Sequence, residues 1–199
     1  MVDQDVQLSR VGGAGARGDP AAGRVIENPI SGERIVIRES GAQNGGRLLV
    51  FDLYLPPGAH VPARHVHPAQ EEQFTVIAGR MRFRLGRRTI LARPGDTVRV
   101  PAGTPHWFGN AGPGTSHARV EARPALRLEE AFEAAAAIGT MRPILGARRL
   151  PRLTDLALYM LEYRGELAAP DVPPLLLRAV LTPLAWLGRR RGRAAGPAR

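Results

Sequence analysis

With 199 residues and no cysteine, the chain fits one domain of ordinary size plus one appendage, and it can carry neither a disulfide framework nor a thiolate metal site. Any metal must therefore be held by histidine, carboxylates or water, and a reducing cytoplasm is the natural compartment. The formal charge of +10 points to nucleic acid only at first sight: six arginines and no acids follow Val172, so the tail alone carries +6 and the rest of the chain is mildly basic.

The 23 Gly and 18 Pro favour many turns and few long helices, hence a β-rich fold. Residues 1–5 carry acids where an export signal needs a basic stretch, so no export is expected. Residues 1–24 are rich in Gly, Ala and Asp without periodicity and are expected to form a mobile arm. Residues 25–124 alternate short strand-like runs with Gly/Pro punctuation: Arg34–Arg38, Arg47–Leu55, Glu71–Ala78, Arg80–Leu85, Thr97–Val100, Thr104–Phe108 and Ala118–Ala122. In Arg80–Leu85, Met81, Phe83 and Leu85 share one face and the arginines the other, the period of a half-buried strand.

Residues 125–199 read as a helical extension with a basic tail. Leu128–Ile138 is Ala-rich, with acids in its first turn and Gly139 behind it. Thr154 is expected to cap a second helix through Arg164, and Pro173–Leu187 a third, kinked at Pro183. Leu175–Leu187 is interrupted by Arg178, Thr182 and Pro183, which excludes a spanning helix. Its apolar-then-basic order is that of an interfacial anchor, but a thin polar side favours a helix packed on the barrel or on a partner subunit.

The chemistry concentrates between Gly58 and Asn110. His65 and His67, two apart on an extended chain, project the same way and can reach one ion about 2 Å from each imidazole. Glu72 follows a short turn and shares parity with the apolar Phe74 and Val76, so its carboxylate faces the interior and needs a partner there. His106 shares a face with Phe108. Glu71 is the alternative to Glu72, while His60 and His117 fall on other faces and read as surface or rim residues. Gly79, Gly95 and Gly103 stand where hairpins need positive φ, and Asn110 reads as a turn residue.

These residues resemble the two motifs of the cupin superfamily. Gly58, His65, His67, Glu72 and Gly79 fit the first, with one extra residue between Gly58 and His65; Gly95, Pro101, Gly103, His106 and Asn110 fit the second without departure. The resemblance covers residues 45–122. It implies a mainly β double-stranded β-helix, or jelly-roll barrel, with C-terminal α-helices. It further implies one divalent ion per chain (Fe, Mn, Ni, Co, Cu or Zn) on His65, His67, Glu72 and His106 near the barrel mouth, often in a homodimer. It does not choose a reaction, since the family spans dioxygenases, isomerases, decarboxylases, storage proteins and sensors.

Two function classes stand side by side. In the first, the ion and a dry pocket of Phe74, Val76, Met81, Phe83, Val98 and Phe108 serve a dioxygenase-like or isomerase-like enzyme, with Glu72 as the proton acceptor. Its substrate is a small, largely apolar or aromatic oxygenated molecule. In the second, the barrel binds or senses a small molecule without turning it over. No helix-turn-helix segment is apparent, so no nucleic-acid partner is expected, nor is stable membrane insertion.

Overall fold

A computed structural model describes residues 8–10, 23–140 and 152–190. Among these described residues ten strands form two antiparallel sheets. They are β1 (Leu8–Arg10), β2 (Val25–Glu27), β3 (Arg34–Glu39), β4 (Leu49–Leu55), β5 (Glu71–Ala78), β6 (Met81–Leu85), β7 (Arg88–Ala92), β8 (Asp96–Val100), β9 (His106–Asn110) and β10 (Ser116–Arg123). The larger sheet runs β1-β8-β5-β10-β4-β3-β2 and the smaller β7-β6-β9. Side chains from the inner faces of both sheets fill one core, which bears out the expected jelly roll with three C-terminal helices.

The inward/outward alternation read from the sequence holds. In β6, Met81, Phe83 and Leu85 are buried and Arg82 and Arg84 exposed. In β5, Phe74 lies between Val98 of β8 and Val120 of β10, and Glu72 between Val100 and Ala122. Phe74, Phe83 and Phe108 pack with ring centroids 5.0–6.0 Å apart, and the edge-on contact of Phe74 with Phe83 adds to the burial of their area. Gly79, Gly95 and Gly103 take φ of 75°, 89° and 75°, as expected of the turns. At Gly79 the need is double, since a Cβ would also lie 2.7 Å from Ser116 Cα.

Other expectations shift. Leu8–Arg10, inside the expected mobile arm, pairs with Asp96–Val98 at the edge of the large sheet, while residues 1–7 and 11–22 lie outside the described residues. β7 was not legible because only Ala92 of it is buried, too little for a two-residue period. The strand expected at Thr104–Phe108 starts at His106 and runs to Asn110. Asn110 does more than turn the chain. Its amide donates to the carbonyls of Leu55 (2.8 Å) and Gly114 (2.7 Å), and its carbonyl accepts from Gly112 N–H.

Among the described residues three helices follow the barrel: α1 (Leu128–Thr140), α2 (Leu153–Glu162) and α3 (Pro174–Arg190). α1 runs through Gly139 rather than stopping before it; a Cβ there would meet Pro29 at 2.8 Å, so the helix end packs tightly on the β2–β3 turn. α1 also closes one end of the core, with Leu128 buried in it and Phe132 edge-on to Phe51 at 5.2 Å. Arg24, just before β2, pairs with Glu129 and Glu133 of this helix. α2 is not capped by Thr154, which is buried inside its first turn; Arg152 is the cap and makes no side-chain cap bond. α3 continues through Pro183 to Arg190 and packs on α2, not on the barrel, through Leu177, Leu181, Leu184 and Ala185 against Ala157 and Leu158. The tail beyond Arg190 lies outside the described residues.

On the face of the large sheet turned from the core, Asp52 is buried and accepts from Arg38 Nε (2.7 Å) and from Arg119 Nε (3.0 Å) and Nη2 (3.2 Å). His117 Nε2 stands 3.3 Å from the same carboxylate and its ring stacks on Tyr54 at 4.3 Å, so this histidine belongs to a structural charge network. Burial by itself would raise the Asp52 carboxyl, but the bonds from His117, Arg119 and Arg38 outweigh it and hold it well below the usual carboxylate range. Asp52→Asn is expected to cost about 2–3 kcal/mol in urea unfolding near neutral pH, because it removes the buried charge that the Arg38 and Arg119 guanidinium groups share. The folded carboxyl titrates below the unfolded one, so the contribution is present above about pH 4 and is lost as pH falls; the two proteins should converge in acid. A difference of the same size at about pH 3 would contradict the assignment.

Candidate metal centre

The candidate ligand set is assembled from three separate pieces of chain. Residues 59–67 run beside β9 as an irregular extra strand, interrupted by Pro62, so only bridges form. His60 pairs with Gly109 and His65 with His106, with His65 N–H to His106 O at 2.9 Å and the reverse bond at 2.8 Å. Gly109 admits this approach; a Cβ on it would lie 2.7 Å from His60 Cβ. His65 and His67 are thus on an extended bridging segment rather than a regular strand, yet their side chains still share a face. Glu72 comes from the second position of β5, and His106 from the first of β9.

One nitrogen or oxygen from each of His65, His67, Glu72 and His106 lies within 4.8 Å of all the others. That is close to the ~4 Å separating opposite ligands of one ion bound at about 2 Å. Glu72 Oε2 stands 3.1 Å from His106 Nε2 and 3.3 Å from His67 Nε2. Glu72 Oε2 and His106 Nε2 are both buried and neither has a hydrogen-bond partner. Two orphaned acceptors deep in an apolar barrel are costly unless something positive sits between them.

The histidine hydrogen bonds suit a cation at this place. Nδ1–H of His65 donates to Ala63 O (3.1 Å), that of His106 to Thr104 O (3.0 Å) and that of His67 to Glu166 O (2.6 Å). In the neutral ring each bond leaves Nε2 unprotonated and aimed at the cluster, an outer-shell arrangement suited to a metal-binding imidazole. Burial, with the charges of His106 and His67 adding to it, pushes the His65 imidazole down to about 3, so it stays neutral and ready to coordinate. Burial would also lower His67, but the Glu72 carboxylate outweighs it and raises it. Burial would raise Glu72, and His67 and His106 together hold it well below the usual carboxylate range. The donors, their number and their fixed tautomers fit a divalent ion bound by nitrogen and oxygen.

Other candidates fall outside. Glu71 pairs with Arg99 at 2.7 Å and lies outside the group of four, which includes Glu72. His60 is exposed, bonded to Val61 O and tilted against Trp107. Phe74, Val76, Met81, Phe83 and Val98 are fully buried in the packed core, and Phe108, at the edge of this cluster, reaches within 6.3 Å of the His65 ring. Of the four ligands His65 alone is half-buried; the others are closed off.

Two contributors escaped the sequence reading. Glu166, after α2, supplies the carbonyl that orients His67, and the same stretch pairs both ways with the ligand loop: Val66 N–H to Ala168 O (3.0 Å) and Ala168 N–H to Val66 O (2.9 Å). The helical extension is therefore part of the site's wall. Glu33, beside β3, accepts from Asn28 Nδ2 at 3.2 Å; burial raises its carboxyl and the Glu72 charge acts in the same direction. Tyr159 of α2 is raised by burial, with the charges of Glu33 and Glu166 adding to it. A second acid thus lies in the field of Glu72, where the strand pattern indicated none. No periodic or motif signal marks Glu33 or Glu166.

Residues 51–119 match the protein family described as Cupin domain. No curated protein matches the chain. Among solved structures, the chain is similar to a sugar phosphate isomerase from a cupin superfamily of Silicibacter pomeroyi (22% identity, 53% of this chain and 73% of that one, TM-score 0.47). It is also similar to a protein described as a predicted oxalate decarboxylase from Thermotoga maritima (20%, 51% and 90%, TM-score 0.45). A third similar structure is a cupin-like protein of the same organism (19%, 60% and 84%, TM-score 0.43).

Proposed function

We propose that this chain, whose residues 51–119 match the Cupin domain family, is a metal-dependent enzyme, dioxygenase-like or isomerase-like, acting on a small, largely apolar or aromatic oxygenated molecule. The observation that carries the reading is the convergence of three imidazoles, each with its tautomer fixed by a backbone carbonyl, on a buried carboxylate whose Oε2 has no hydrogen-bond partner. An ion held there by His65, His67, Glu72 and His106 would supply Lewis-acid or redox chemistry to a substrate oxygen.

The protein's own part is positioning and proton handling. Phe108 and the aromatic core behind it form a dry floor under the ligands and disfavour a densely hydroxylated substrate, whose polar groups they would leave unpaired. Glu72 is the proton acceptor at the centre. The half-buried edge of His65 marks the side from which a substrate approaches.

The test is a screen of catechols, flavonols, β-diketones and sugar phosphates with Fe- and Mn-loaded protein, following dioxygen uptake and product mass. Turnover is expected with an aromatic or diketone substrate, lost in Glu72→Gln and in chelator-treated protein. Turnover that persists without metal would overturn the mechanism, and binding without turnover for every class would favour the sensing alternative.

A further inference from the structure

α3 has two apolar faces, and only one is used. Leu177, Leu181, Leu184 and Ala185 pack on α2. On the opposite side, Leu176 (56% exposed), Val180 (54%) and Trp186 (49%) stand in the open, with the exposed Pro183 between them. At 3.6 residues per turn these four span an arc of about 120°. Leu175, at the helix start, is 81% exposed. Large apolar side chains gathered on one helix face are unusual for a surface meeting only water, and such patches mark interaction sites.

The charges around the patch name its partner. Arg178 and Arg189 are exposed and flank the arc on one side, and Arg190 closes its end with its guanidinium 3.8 Å over the Trp186 ring. The sequence holds no acid after Val172, and the nearest preceding one, Asp171, is paired with Arg64 at 3.0 Å. A second copy of the chain on this face would bring arginine against arginine; a lipid surface bearing phosphate brings the opposite sign. Among the described residues no helix is long and apolar enough to cross a membrane, so a helix with this make-up lies in the interface plane. We propose that the outward face of α3 docks the protein on an anionic lipid surface, with Leu176, Val180, Pro183 and Trp186 at the acyl boundary and Arg178, Arg189 and Arg190 at the phosphates.

The experiment is sedimentation of the full chain with phosphatidylcholine vesicles and with vesicles of phosphatidylcholine plus phosphatidylglycerol. Co-pelleting is expected with the anionic vesicles alone, weakening as salt screens the arginines. A blue shift of tryptophan emission on binding should vanish in Trp186→Phe. Leu176→Glu combined with Val180→Glu should weaken binding by more than about tenfold, with the thermal melt and metal content unchanged, since both side chains already face solvent. No pelleting with anionic vesicles at low salt would overturn the proposal. So would a dimer in light scattering that the double variant dissolves, which would assign the face to a second copy.

Discussion

Replacing His106 by alanine is expected to take the protein from near-stoichiometric metal to trace amounts after reconstitution with Fe, Mn, Ni or Zn salts, while the barrel stays folded. His106 is fully buried, its Nε2 has no partner except the site, and its backbone is held on both sides by the bridge to His65. The ring is therefore there for its nitrogen rather than for the ladder. His65→Ala and His67→Ala should behave alike, each removing one of four donors, whereas His60→Ala should keep full metal content because His60 is exposed and outside the cluster. Elemental analysis beside circular dichroism reads the outcome. Full metal content in His106→Ala, or none in the wild type with every salt, would remove the site.

The second large effect is expected far from the ligands in sequence. Ala168→Pro deletes the N–H that donates to Val66 O and so opens the bridge that seats Glu166 O against His67. Metal affinity should fall by about 10–100-fold, the usual loss when an outer-shell partner of a ligand is removed. Ala168→Ser keeps the N–H and should bind as the wild type does. Competition against a chromophoric chelator measures both. Equal affinity in the proline variant would show that the extension packs beside the site without shaping it.

Much of the centre was legible from local spacing. His65 and His67 share a face because any extended chain alternates, whether or not it is a regular strand, and Glu72 shares parity with Phe74 and Val76 because β5 has one buried face. The four residues that converge at the candidate site could thus be named from strand parity and motif resemblance. So could the core positions Met81, Phe83 and Leu85, since their period is intrinsic to a half-buried strand.

What only the tertiary structure decided are the relations that no period encodes. Glu166 meets His67 across 99 residues, and Glu33 enters the field of Glu72 from a turn whose sequence reads as punctuation. His117, which parity sends to the polar face, is there drawn into a buried ion network because Arg38, Asp52 and Arg119 come from three neighbouring strands. α3 shows why burial is the hardest quantity to read in advance. Its sequence is apolar nearly all round, and one such face is satisfied by α2 while the other is left open. Hydrophobicity states that a face seeks a partner; which partner reaches it is set by how the chain returns on itself, and that depends on contacts between residues far apart in the sequence.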